Sequence, residues 1–276
     1  MPSFLRSITR PSAAWPEGFP FNVPVIRALE TLEFSAPVTF FVGENGAGKS
    51  TLLEAIACAA RLPAIGSDRV DRDPTLAHAR ELADALRWSW GKPPKRGFFL
   101  RAEDFFGYAR EVQRTRDELA NELREVRSEF AGRGKTAQAL ASMPFARELS
   151  DIQQRYGDGL DAQSHGESFV KLFQARLMPD AFYLLDEPEA PLSPTRQFAL
   201  MLLLKDMLAQ GAQCVIATHS PILLAYPGAA IWSFDGGAIH PVRYEDVESV
   251  QLTRDFLNHP EAFLRQLMDG ENHDHQ

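Results

Sequence analysis

Cysteine is scarce in this chain: there are two, Cys58 and Cys214, far apart and in no metal-ligand spacing. That argues against a disulfide framework and against a thiolate metal cage. Cys58 falls in an apolar helix-like pattern and Cys214 in an apolar strand-like one, so both are expected as buried, reduced thiols. Long hydrophobic runs are also missing. No stretch approaches the roughly 18 consecutive apolar residues of a membrane span, and no bilayer-crossing helix is expected. The segment Met1–Arg10 alternates apolar and polar residues, without the apolar block and small residues of a secretory signal, which points to the cytoplasm. Positive charge is short overall. The net charge of -8 at pH 7 argues against a uniform nucleic-acid footprint. Its distribution is uneven, with 14 basic and 10 acidic side chains over residues 87–155 against 7 and 17 over 156–276. A polyanion would have to meet the middle segment, although a mixed, solvated helical surface is the simpler account of that segment.

What is present reads as one large globular domain. A chain of 276 residues, 45% apolar and 24% charged, has the length and composition of a single domain with insertions, expected over 1–276. Phe4–Thr9 reads as an edge strand of an N-terminal antiparallel β portion, followed by a proline-marked crossing at Pro11, Pro16, Pro20 and Pro24. Val38–Val42 is a continuous apolar run of the kind buried on both faces of a sheet, and it leads through a glycine-rich turn into a helix over 49–61. A helix is expected over 75–88 and a strand over 97–101. From Glu111 to Phe130 an amphipathic stripe of Val112, Leu119, Leu123, Val126 and Phe130 marks a helical lateral insertion, placed at about 104–160. The stripe covers barely two heptads, too few for a long coiled coil. Helix, strand, helix and strand then alternate at 167–177, 181–185, 194–210 and 214–217, which signals an α/β fold with a mainly parallel sheet covered by helices. A hairpin over 231–234 and 238–242 and two short helices end the pattern.

Gly43-Glu44-Asn45-Gly46-Ala47-Gly48-Lys49-Ser50 matches the Walker A pattern in the context it requires, after a buried strand and at the start of a helix. Glycines let the backbone curl around phosphate oxygens, helix amides point at them, Lys49 supplies a positive charge and Ser50 can ligate magnesium. With Thr51, these eight residues are the nucleotide-binding candidates of a P-loop NTPase. Phe182–Asp186 is an apolar strand ending in Asp186 and Glu187, where a parallel sheet presents its ligands. Asp186 suits the metal and Glu187 the attacking water.

With these motifs in place, the chain resembles the ABC-class ATPases. Gln163–Ser168 (Gln-Ser-His-Gly-Glu-Ser) is similar to their signature: Ser164, Gly166 and Glu167 match, and His165 departs. Pro188–Ser193 occupies the D-loop place, with Ser193 where aspartate is common. Ala217–Pro221 looks like the switch-histidine segment. The resemblance implies ATP and Mg2+ as cofactors, His219 at the terminal phosphate, Lys49 and Glu187 in hydrolysis, and a homodimer formed on ATP binding in which Ser164, Gly166 and Glu167 serve the partner's nucleotide. No clear glutamine follows the strand at 97–101, so Glu103 is the candidate for the glutamine-loop position and a third metal-site residue beside Ser50 and Asp186. Phe4, Phe21 and other early aromatics are candidates for stacking on adenine.

Within the class, the chain looks more like the soluble RecF, SMC and OLD-like heads, above all the small stand-alone predicted ATPases with a Gln-Ser-His-Gly-Glu-Ser signature. The expected role is therefore a clamp or motor acting on DNA or on a partner effector protein, in repair or defence. The competing readings are a transporter's nucleotide-binding subunit docked on a permease, and a nucleotide-gated binding module with slow turnover. The tail's His273 and His275 could take a transition metal, but a frayed polar end is the simpler reading. Any nuclease activity in the pathway is expected from a partner, since the chain has no room or motif for one.

Overall fold

The computed structural model describes residues 4–11, 15–65, 74–156, 170 and 173–270. Strands β1 (Leu5–Thr9), β2 (Thr31–Glu33) and β4 (Arg87–Trp90) form an antiparallel sheet in the order β2-β1-β4. Strands β3 (Val38–Val42), β5 (Gly97–Arg101), β6 (Phe182–Asp186), β7 (Gln213–Ala217), β8 (Ala230–Ser233) and β9 (His240–Pro241) form the main sheet in the order β5-β6-β7-β3-β8-β9. All its pairings are parallel except β8 with β9. This is the mainly parallel α/β architecture, with an antiparallel N-terminal portion, that the alternating pattern implies.

The central strands are largely apolar because their side chains meet one of two helical layers. Phe41, Phe182, Leu184, Val215 and Ala217 pack in one core, while Phe40, Tyr183, Leu185, Cys214 and Ile216 pack in the other. Successive residues of a strand point to opposite faces, so covering both faces favours apolar residues at nearly every position, with Thr39 and Gln213 as buried polar exceptions. The first core is closed by α1 (Pro24–Arg27), α2 (Lys49–Ala60), α3 (Ala77–Ala85) and the small sheet. Residues of α6 (Pro194–Ala209), α7 (Pro221–Leu224) and α8 (Glu248–Asn258) close the second. Between them in the chain lie α4 (Ala102–Glu129) and α5 (Lys135–Tyr156), which pack on each other, and α9 (Pro260–Gly270) follows α8. No helix among the described residues is long and apolar enough to cross a membrane.

Gln213 joins the two sheets. Its buried Oε1 accepts the Phe4 and Leu5 amides at 3.1 and 2.9 Å, and its Nε2 donates to the Leu5 carbonyl at 2.9 Å. Two boundaries differ from expectation. The helix read over 75–88 ends at Ala85, because Arg87-Trp88-Ser89-Trp90 alternates with the period of a strand and pairs with β1. The insertion helix starts at Ala102 rather than Glu111, since Gly107 and the aromatics Phe105, Phe106 and Tyr108 have weak helix propensity and mask the first turns. Cys214 is fully buried, its thiol pushed up to about 12 by desolvation, whereas Cys58 is half-buried.

Candidate active site

The parallel register decides what meets at the edge of the sheet. Arg101 lies beside Asp186, Asp186 beside Ala217, and Phe41 beside Ala217, so β3, β6 and β7 end level with one another. The turns that follow them, 43–48, 187–193 and 218–220, therefore emerge side by side, the usual place for a ligand in such a sheet.

After β3 the chain closes the phosphate loop. Gly48 sits at φ 100° as the residue before α2, and a Cβ there would come within 2.8 Å of Val25 and 2.9 Å of Val23 in and beside α1. Only glycine fits that conformation and that approach. No side chain caps α2, which leaves its first amides, from Lys49, Ser50 and Thr51, directed to whatever lies before the helix. The Lys49 ammonium folds over the loop, donating to the Gly43 and Glu44 carbonyls at 2.6 and 2.8 Å. Burial lowers its proton affinity, and the charges of Glu187, Asp186, Asp235 and Glu189 oppose that shift. Four carboxylates surround one lysine, so a bare polyphosphate would add negative charge to a site that is already negative. A divalent cation arriving with it removes that penalty.

Asp186 carries the clearest sign of a cation site. It is 8% exposed, and its carboxyl is pushed up to about 7, first by desolvation and then by Glu187 and Glu54, against the Ser50 hydroxyl bond and Lys49. Its Oδ1 is buried without a hydrogen-bond partner. A hard dication with its own waters and phosphate oxygens suits such a pair of oxygen donors, so magnesium fits Asp186 and Ser50. No cluster of three or more His, Cys, Asp or Glu that would hold a metal on protein ligands alone occurs among the described residues.

Glu187 follows at φ 49°, a left-handed conformation that costs a non-glycine residue about 1 kcal/mol or more. Its amide donates to the Ala217 carbonyl at 2.9 Å, and its Oε1 lies 3.7 Å from His219 Nε2. That imidazole nitrogen has no hydrogen-bond partner. The fold thus brings Lys49, Ser50, Asp186, Glu187 and His219 to one place from three separate turns.

Two carboxylates here escape any motif. Asp235, after β8, accepts the Glu44 amide at 2.8 Å and the Ser233 hydroxyl at 3.1 Å, pinning the mouth of the phosphate loop. Glu189 accepts the His219 amide at 2.7 Å. The Asp-Gly-Gly turn and the Glu-Pro-Glu run read only as a hairpin tip and an acidic exit, since their partners lie far away in the chain. Of the other candidates, Phe4 is core, stacked on Phe182 at 5.9 Å. Phe21 is also buried, edge-on to Trp15 at 5.3 Å, and the two border an opening of about 410 Å³ with Arg10, Asn22 and Arg27. Ser164, Gly166, Glu167 and the tail histidines lie outside the described residues. Glu103 is in the first turn of α4, and its side chain is likewise outside them.

The chain is similar to several known proteins. The family described as "AAA domain, putative AbiEii toxin, Type IV TA system" matches residues 81–225, and a family described as "AAA domain" matches 22–69. The cobalt import ATP-binding protein CbiO of Salmonella typhimurium is 26% identical over 223 residues, covering 79% of this chain and 74% of that protein. The macrolide export ATP-binding/permease protein MacB of Hahella chejuensis is 25% identical over 220 residues, and the match spans 79% of this chain but 31% of its length. Among solved structures, cbiO1 of Clostridium perfringens, part of the ABC transporter complex cbiONQ, aligns over 97% of this chain and 99% of its own at 16% identity, with a TM-score of 0.47.

Proposed function

This chain belongs to the AAA-domain family matched over residues 81–225 and is a P-loop ATPase of the ABC class; from that premise we propose that it hydrolyses ATP as an ATP-sandwiched homodimer, a clamp acting on DNA or a partner effector protein. The observation that carries the reading is the meeting of Lys49, Asp186, Glu187 and His219 at the level ends of β3, β6 and β7. Gly43 to Thr51 would wrap the phosphates, with the Lys49 ammonium moving from the loop carbonyls onto the terminal oxygens. Magnesium, held by Ser50 and Asp186, would supply charge neutralisation between the phosphates. Glu187 would orient the water and take its proton, and His219, whose Nε2 lies 3.7 Å from the Glu187 carboxylate, would donate to the terminal phosphate. Ser164, Gly166 and Glu167 would complete the partner's site, the helices at 102–156 forming the lateral insertion of a single ATPase domain over 1–276.

The test is direct. Lys49→Ala should lose ATP binding and turnover together. Glu187→Gln keeps the side chain's size but not its charge, so chemistry should slow by about 10²-fold or more while ATP still binds. The ATP-bound pair should then accumulate in light scattering. A Glu187→Gln protein that stays monomeric at high concentration with Mg-ATP would sink the dimer. A transporter subunit is the second reading, supported by the likeness to CbiO, a cobalt import protein, and MacB, a macrolide export protein. Copurification with a permease encoded beside it would favour that reading.

A further inference from the structure

Glu189 stands in the turn after β6, two residues beyond Glu187. Its carboxylate acts across the site rather than along the chain. Oε1 accepts the His219 amide at 2.7 Å, and the Thr218 hydroxyl donates to the same group. That hydroxyl in turn accepts the Ser220 amide at 3.0 Å. Oε2 is shut off from solvent and has no hydrogen-bond partner. A dry carboxylate beside a second one destabilises a fold unless its bonds compensate, and here every bond to a neighbouring segment converges on residues 218–220. Desolvation, with the Glu187 charge added, raises its proton affinity accordingly.

A second clamp works in parallel. The Glu187 amide donates to the Ala217 carbonyl at 2.9 Å, so segment 217–220 is tied to the turn at both ends of a short span. The 3.7 Å approach of Glu187 Oε1 and His219 Nε2 lies between the two clamps. We propose that Glu189 is a positioning residue whose carboxylate holds the His219 main chain, and through it the imidazole, against Glu187, so that any shift of the turn at 187–193 passes directly to the histidine. The inference rests on the reading of Glu187 and His219 as the hydrolytic pair.

Steady-state kinetics on the full chain test it. Glu189→Ala should lower kcat by about 10²-fold, the scale of an ångström's misplacement, and leave ATP affinity unchanged. Glu189→Gln, whose amide oxygen still accepts the His219 N–H, should restore most of the rate. In a His219→Ala background the same Glu189→Ala change should add almost nothing, because residues that act through one another are not additive. Losses that multiply in the double variant, or a wild-type kcat in Glu189→Ala, would overturn the proposal. Hydrogen exchange on the ligand-free protein gives a readout independent of turnover. The His219 amide should exchange about tenfold faster or more in Glu189→Ala than in wild type or Glu189→Gln, and unchanged exchange would also overturn it. If the wild type hydrolyses no ATP, the functional reading fails while the exchange arm still decides the clamp. Should Glu189→Ala fail to fold, Glu189→Asp takes its place: one methylene too short to reach, it should lose rate as the alanine would, and a wild-type rate there would refute the clamp.

Discussion

Asp186 is held where its chemistry is unfavourable until a cation arrives. Its carboxyl, at about 7 in the folded chain against 3.8 ordinarily, binds a proton more tightly folded than unfolded. The corresponding stability is fully present below pH 4 and is lost as pH rises to about 7, because the unfolded chain gives up the proton first. Asp186→Asn removes that loss. The ligand-free variant should therefore be more stable than wild type at pH 8, by about 4 kcal/mol, with the advantage shrinking toward pH 4. Mg-ATP should reverse the order, since it stabilises only the protein that binds it. Thermal unfolding of both proteins at the two pH values, with and without Mg-ATP, measures this. An Asp186→Asn protein no more stable than wild type at pH 8 would show that burial of the charge carries no penalty.

At the scale of elements, the Gln213 side chain hydrogen-bonds the main sheet to the start of the small sheet. Gln213 fills three hydrogen-bonding groups of Phe4 and Leu5 inside the core. Gln213→Leu keeps the volume and leaves two amides and a carbonyl unsatisfied, at about 1–3 kcal/mol each. Urea unfolding should show a loss of about 3 kcal/mol or more, while any ATP affinity of the folded protein stays near wild type. An unchanged urea midpoint would mean the sheets are joined by packing alone. This residue also marks where reading the sequence stops. The strand over 214–217 was legible because continuous apolar runs suit a doubly covered sheet, but a glutamine at its start looks like the end of a pattern. That Gly43–Ser50 follows a buried strand and opens a helix was legible too, since a phosphate loop needs its residues contiguous. Glu189 and Asp235 act across 30 and 191 residues, a relation that spacing does not carry. The helix expected over 75–88 overlaps the first two residues of the strand at Arg87–Trp90, because one element's period extends into the next.

For the whole molecule, charge decides which partner it can grip. The acidic total leaves the segment between β4 and α5 as the place for a polyanion, and the structure narrows it further. Arg101 is turned inward to Glu54 at 3.3 Å, Lys92 pairs with Asp180, and Arg114 pairs with Glu111 at 2.6 Å. Arg87, Lys95 and Arg96 are exposed on β4 and before β5, and Arg124, Arg127, Arg133, Lys135 and Arg147 are exposed on α4, α5 and the turn between them. Contacts of this kind make binding strongly salt-dependent. If the clamp closes on duplex DNA there, log affinity should fall with log salt at about -0.9 per phosphate neutralised. Changing Arg87, Lys95 and Arg96 together to glutamine should then flatten the slope by about 2.7, with ATP hydrolysis in the absence of DNA unaltered. Titration of a labelled duplex between about 50 and 200 mM salt, with ATP and the Glu187→Gln protein, resolves such a change. A slope that the triple variant does not alter would move the DNA elsewhere on the surface. No binding at the lowest salt would leave a protein as the clamp's partner, since phosphate contacts by exposed cations are strongest at that ionic strength.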